Sequence, residues 1–225
     1  FMEQLGIVSA PLVGHSMGGT VSLSVAIKYP ARVRKVVVVG SPIVGSSLSL
    51  LLKLMGRRPI AFITYNNMWA FKLGFRMMAP LFSRDRNWAN MMDRDVSRLT
   101  LESFLMSIAS LRRTDLRPLL GQVKIPAMGM FGHRDIVVHP NQWKPMLEGI
   151  PHARIERFPD AGHFIMLDEP QRFMETLRDF LDSPIAQPGS EQPAATGRTA
   201  ASEPGAVVPG SGSPPSVKSS TPPAV

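Results

Sequence analysis

Along residues 1–183, short β-branched runs alternate with stretches whose apolar residues recur at helical spacing. The runs are Ile7 to Val13, Val36 to Val39, Ile125 to Phe131 and Ala153 to Phe158, and the first three stop at Gly14, Gly40 and Gly132. The apolar positions predict four buried strands of a parallel sheet, with Ala153 to Phe158 the weakest pattern of the four. Between the first two, Met17 to Tyr29 places Val21, Leu23, Val25, Ala26 and Ile27 in a helical segment that stops at Pro30. After the last run, Asp168-Glu169-Pro170 reads as an N-cap with a first-turn proline, and Phe173, Leu177, Phe180 and Leu181 form a helical stripe. This alternation predicts an α/β fold built on a doubly wound, mostly parallel sheet.

Residues 41–117 break the rhythm. They hold seven of the 14 methionines, Trp69 and Trp88, and no strand-like run, so a helical insertion is expected there. Twelve Lys/Arg against five Asp/Glu give the insertion a net charge of +7, nearly the whole excess of +8. From Pro184 to Val225 the composition turns to Pro, Ser, Gly and Ala, with nine of the 21 prolines and cancelling charges, which predicts a disordered tail. At the other end, Phe1 to Gly6 reads as the last turns of a helix already under way, so an upstream continuation is expected. No leader is readable from such a start, and a cytoplasmic location stands only as the default.

Composition removes several chemistries. Without cysteine there is no disulfide framework, thiolate nucleophile or thiolate-bound metal. The apolar stretches fall short of a membrane span. Gly14 to Gly19 has P-loop spacing, but Thr20 stands where a lysine is required, and neither G-x-G-x-x-G nor H-E-x-x-H occurs; neither metal nor nucleotide cofactor is expected. The basic residues of the insertion are scattered among Met, Leu and Phe rather than grouped in a binding motif, which argues against nucleic acid. A solvated face is the plain reading of that charge, with weak contact to an anionic membrane surface as the partner a basic amphipathic insertion would suit.

Gly14-His15-Ser16-Met17-Gly18 matches G-x-S-x-G where a strand is expected to pass into a helix. A serine on so sharp a turn takes a strained backbone, and glycines two before and two after it relieve crowding. Ser16 would then project above the sheet edge, with the Met17 N–H at the helix start facing a developing oxyanion. A plain Gly-Ser turn before a helix is the alternative.

A serine hydroxyl needs a base, and the base needs an orienting carboxylate. Of five histidines, His15 is expected to point off the far side of the turn and to serve packing. His133 and His139 flank the end of the third strand, and His152 lies at the wrong end of the last. His163, in Asp160-Ala161-Gly162-His163-Phe164, follows the last strand and is the expected base. Asp135, in the loop after the third strand, is the expected acid, with Asp160 its rival. The order Ser, Asp, His then places one member after each of three strands.

Gly-His-Ser-Met-Gly-Gly at 14–19, Gly-His-Arg-Asp at 132–135 and Ala-Gly-His-Phe at 161–164 resemble the nucleophile elbow, acid loop and histidine loop of the α/β-hydrolase superfamily. The resemblance runs over residues 1–183, with the insertion at 41–117 where that superfamily places a helical cap. It implies that the superfamily's early strands, and the loop donating a second oxyanion N–H, lie upstream of Phe1. It also implies a serine nucleophile, setting aside the epoxide-hydrolase and haloalkane-dehalogenase branches, which use a carboxylate. The expected function is a serine hydrolase of the esterase or lipase type, or a related amidase or C–C hydrolase, working through an acyl-enzyme on a small hydrophobic substrate. Trp69, Phe75, Met78 and Phe82 are expected to line its pocket. A non-catalytic ligand binder on the same fold is the competing reading.

Overall fold

The computed structural model describes residues 1–85, 87–98 and 100–185, without the side chains of Phe71 and Phe75. Most of the expected tail, residues 186–225, lies outside the described residues. Four strands, β1 (Ala10–His15), β2 (Val33–Val39), β3 (Ala127–Gly132) and β4 (Arg154–Phe158), form one parallel sheet in the order β1-β2-β3-β4. All four expected strands are present; β1, β3 and β4 start later than expected and β2 starts three residues earlier. Ile7 and Val8 stay outside the ladder, which slips register between Ala10 and Leu12, where Pro11 has no N–H to give. Likewise β3 begins after Pro126.

The valine run of β2 shows why the sheet must be covered twice. Val36 and Val38 point into one core with Leu23 and Ala26 of α1 (Met17–Lys28), while Val37 and Val39 point into another with Phe158, Ile165, Phe173 and Phe180. The second core is closed by α8 (Ile165–Asp168) and α9 (Pro170–Asp182), whose expected stripe faces it. The buried Lys35, at the start of β2, donates to the carbonyls of Phe180 (2.7 Å) and Leu181 (2.9 Å) and to Ser183. Those are carbonyls that a helix end leaves unpartnered, and a cation there also opposes the helix dipole.

The insertion is helical as expected: α2 (Leu50–Met55), α3 (Arg58–Asn66), α4 (Met68–Phe82), α5 (Trp88–Val96) and α6 (Leu101–Arg113). Ser49 and Thr100 cap α2 and α6, their hydroxyls accepting from Leu52 N and Ser103 N. An isolated bridge between Val44 and Asp115 closes the neck through which the chain leaves and re-enters the body. A small core of Leu48, Leu111 and Val138 fastens that neck to the loop after β3. The chain then runs through α7 (Trp143–Gly149), on the α1 side, into β4.

Candidate active site

Ser16 joins β1 to α1 in a single residue. Its φ of 52° and ψ of −123° make it the one non-glycine residue with positive φ among the described residues. Its N–H continues the sheet ladder to Val39 O (2.8 Å), while its carbonyl already accepts from Gly19 N and Thr20 N in the first turn of α1. Such a conformation costs on the order of 1–3 kcal/mol and persists only where both neighbouring elements fix it. Close approach accounts for Gly14, where a Cβ would lie 2.3 Å from Gly18 O. The second crowded position is Gly19, facing Ser41, and not Gly18 as the motif suggested: Gly18 has open space. Met17 N–H opens α1 and, as a first-turn amide, has no acceptor within the helix.

His163 and Asp135 meet as expected. The buried His163 lies with Nδ1 2.7 Å from Asp135 Oδ2, and Asp135 Oδ1 accepts from Val137 N (2.8 Å) and Val138 N (2.9 Å). A carboxylate oxygen at that distance is an acceptor, so Nδ1 is the donor of this pair. Asp160, the rival acid, is exposed and tied to Arg134 and Arg84 instead. His133 is exposed; His139 accepts from Asn141 N, and His152 bonds Ile125 O.

Three residues whose roles the sequence did not disclose complete the framework. His15 does not point away. Its ring lies 4.7 Å from that of His163, and its Nε2 donates to the His163 carbonyl at 2.9 Å. Burial, then the neighbouring His163, pulls its pKa down to about 4, so it is neutral at ordinary pH. Gly40, at φ 54° after β2, lets the chain pass where a Cβ would lie 3.3 Å from His163 O and 3.4 Å from its Nδ1. Asp168, expected as an N-cap, instead accepts three hydrogen bonds of 2.7 Å, from Gly162 N beside His163 and from Ser83 Oγ and Arg84 N at the end of α4. Only the Asp-Glu-Pro spacing was readable, and it pointed to the helix.

Ser16 and His163 open on one cavity of about 480 Å³, walled by the insertion. Helix α4 presents Ala70, Gly74, Met78 and Phe82 to it, one residue per turn, and Phe82 stacks on the buried Trp88. Met78 and Phe82 therefore sit where expected. Trp69 does not: one position, about 100° of helix, away from that stripe, it is 72% exposed. The Phe75 side chain lies outside the described residues. Apart from Ser16 and His163, the polar lining residues are Ser49 and Ser107, and no charged side chain lines the cavity among the described residues. A more open depression of about 670 Å³ passes the other side of Asp135 but reaches neither Ser16 nor His163. Among the described residues no cluster of three or more His, Asp or Glu could hold a metal ion, and no helix is long and apolar enough to cross a membrane.

Residues 1–170 match the family model described as the alpha/beta hydrolase fold. The chain is 30% identical over 192 residues to a 2-hydroxy-6-oxo-6-phenylhexa-2,4-dienoate hydrolase of Burkholderia cepacia. It is 28% identical over 192 residues to a 2-hydroxy-6-oxononadienedioate/2-hydroxy-6-oxononatrienedioate hydrolase of Comamonas testosteroni. In both cases 80% of this chain aligns with 65% of the relative, so the chain spans somewhat under two thirds of those enzymes. Among solved structures, an esterase from Exiguobacterium antarcticum superposes with a TM-score of 0.68 at 22% identity, covering 81% of this chain and 70% of that one. The strand-to-helix serine, the loop placement of Asp135 and His163 and these matches agree: the chain belongs to the α/β-hydrolase fold family.

Proposed function

We propose that this chain carries the reaction centre of a serine hydrolase, with Ser16 as nucleophile, His163 as general base and Asp135 as its orienting acid. The observation that carries the reading is the strained Ser16 at the floor of the cavity into which the Asp135-bound His163 also opens. With Nδ1–H held by Asp135, His163 Nε2 takes the Ser16 hydroxyl proton as Oγ bonds to the substrate's carbonyl carbon. The charge gathering on the carbonyl oxygen meets the Met17 N–H and the positive end of α1. Collapse of that intermediate expels the leaving group, which takes the proton back from His163 and leaves an acyl group on Ser16. Water, deprotonated in turn by His163, releases the acid and restores the serine. Asp135 is held in place throughout by its two backbone N–H donors.

Two substrate classes compete. The dienoate hydrolases among the relatives are named for substrates that carry carboxylates. Against the same use here, no Lys or Arg lines the cavity among the described residues, and an unpaired carboxylate in an apolar site is costly. The apolar lining supports a neutral ester of a hydrophobic acid instead. The discriminating assay compares neutral medium-chain p-nitrophenyl esters with 2-hydroxy-6-oxo-dienoates on the full 225-residue chain. Turnover of the esters with none of the dienoates supports the ester reading; efficient dienoate cleavage overturns it.

A further inference from the structure

Helix α4 carries a second apolar stripe, and it faces outward. Trp69, Leu73, Met77 and Leu81 recur every four residues and are 72%, 52%, 77% and 58% exposed. Helix α3 adds exposed Phe62 and Ile63, and Leu50 lies exposed at the start of α2. A row of this kind on four successive turns is more than the scattered apolar residues an ordinary surface carries. The row borders the cavity: Met78, next to Met77, and Leu51, next to Leu50, are cavity-lining and also exposed. Within α2–α4 the charge has one sign, although Arg76 is paired with Asp93 of α5 at 3.1 Å. No Asp or Glu occurs from Gln4 to Arg84, while α2–α4 carry Lys53, Arg57, Arg58, Lys72 and Arg76. Arg57 and Arg58 are exposed, with no ion pair found for either among the described residues.

From this we infer that the outer face of α2–α4 docks on an anionic lipid surface, with the apolar row at the acyl boundary, the basic side chains among the headgroups and the cavity mouth opening towards the lipid. An amphipathic face with an aromatic residue and a Lys/Arg rim suits that interface. Charge selects the occupant. A second copy of this chain would set one positive face against another, whereas an anionic bilayer neutralises it. The inference does not depend on which bond the site cleaves.

The test is co-sedimentation of the full 225-residue chain with vesicles of phosphatidylcholine alone or mixed with phosphatidylserine, at low salt and at about 1 M, where the Debye length is about 3 Å. Binding is expected to the anionic vesicles at low salt, with a marked loss at high salt. Arg57→Gln with Arg58→Gln should weaken it by roughly 25-fold, about fivefold for each basic residue near the surface. Leu73→Ser with Met77→Ser should weaken it at least tenfold while leaving ester turnover in solution unchanged, because neither side chain lines the cavity. Brominated acyl chains should quench wild-type fluorescence more than that of Trp69→Phe. Equal binding to neutral and anionic vesicles would overturn the inference, as would binding that survives both double variants. So would a concentration-dependent dimer, seen without vesicles, that the same variants abolish.

Discussion

Asp168 joins the end of α4 to the loop that carries His163, and replacing it should uncouple the two. Asp168→Asn keeps size and shape but turns one acceptor oxygen into an N–H₂ group. If Oδ1 continues to accept from Ser83 Oγ and Arg84 N, the new donor faces the Gly162 N–H, an opposed pair where a 2.7 Å hydrogen bond stood. A hydrogen bond to a charged group contributes about 1.5–3 kcal/mol, and the half-buried position argues for the lower part of that range. A loss of about 2 kcal/mol should lower the thermal midpoint by roughly 4–8 °C in a body of this size. The catalytic effect should be larger than the stability effect, because Gly162 precedes His163 and a misplacement of about 1 Å can cost on the order of 10² in rate. In steady-state assays with a neutral p-nitrophenyl ester, kcat should therefore fall at least tenfold. Ser83→Ala, which leaves the Gly162 contact intact, should chiefly alter KM. Wild-type kcat in Asp168→Asn, or equal kcat losses in the two variants, would show that Asp168 does not position His163 through Gly162.

Three further outcomes follow from the same geometry. His15 has its folded pKa pushed from 6.5 to about 4, so the unfolded chain binds its proton more readily; at about 1.4 kcal/mol per pH unit this adds roughly 3 kcal/mol of stability above pH 6.5 that is lost as pH falls towards 4. Urea unfolding from pH 4 to 7 should show that dependence in the wild type and a flatter one in His15→Gln. Gly40→Ala sets a Cβ at positive φ against His163, and should cost about 1–2 kcal/mol in urea unfolding and more than tenfold in kcat. Gly74 faces open space inside the cavity, so Gly74→Leu should raise KM for long acyl esters and spare short ones, as an acyl-length series would reveal.

What could be read from the sequence was what depends on neighbours in the chain. The segments carrying Ser16, Asp135 and His163 each follow a strand, with a glycine close by, so strand order alone brought the three to one edge. The supporting residues act across long separations. His15 reaches His163 over 148 positions and Asp168 reaches Ser83 over 85, and no local pattern marks such pairs. Trp69 was misplaced for a different reason: α4 is apolar along two adjacent stripes, 69-73-77-81 and 70-74-78-82, so periodicity cannot say which one faces the cavity. Only the packing of α4 over Ser16 decides it.

In the proposed mechanism His163, held by Asp135, activates Ser16 for attack. The most direct measurement is covalent labelling of the full chain by a fluorophosphonate, followed by intact mass and peptide mapping. One phosphonyl group should be found on the peptide containing Ser16. Labelling should be absent in Ser16→Ala and slowed at least a hundredfold in His163→Ala. Labelling elsewhere, or an unlabelled Ser16 in a folded chain, would contradict the account and leave the cavity as a binding site without chemistry.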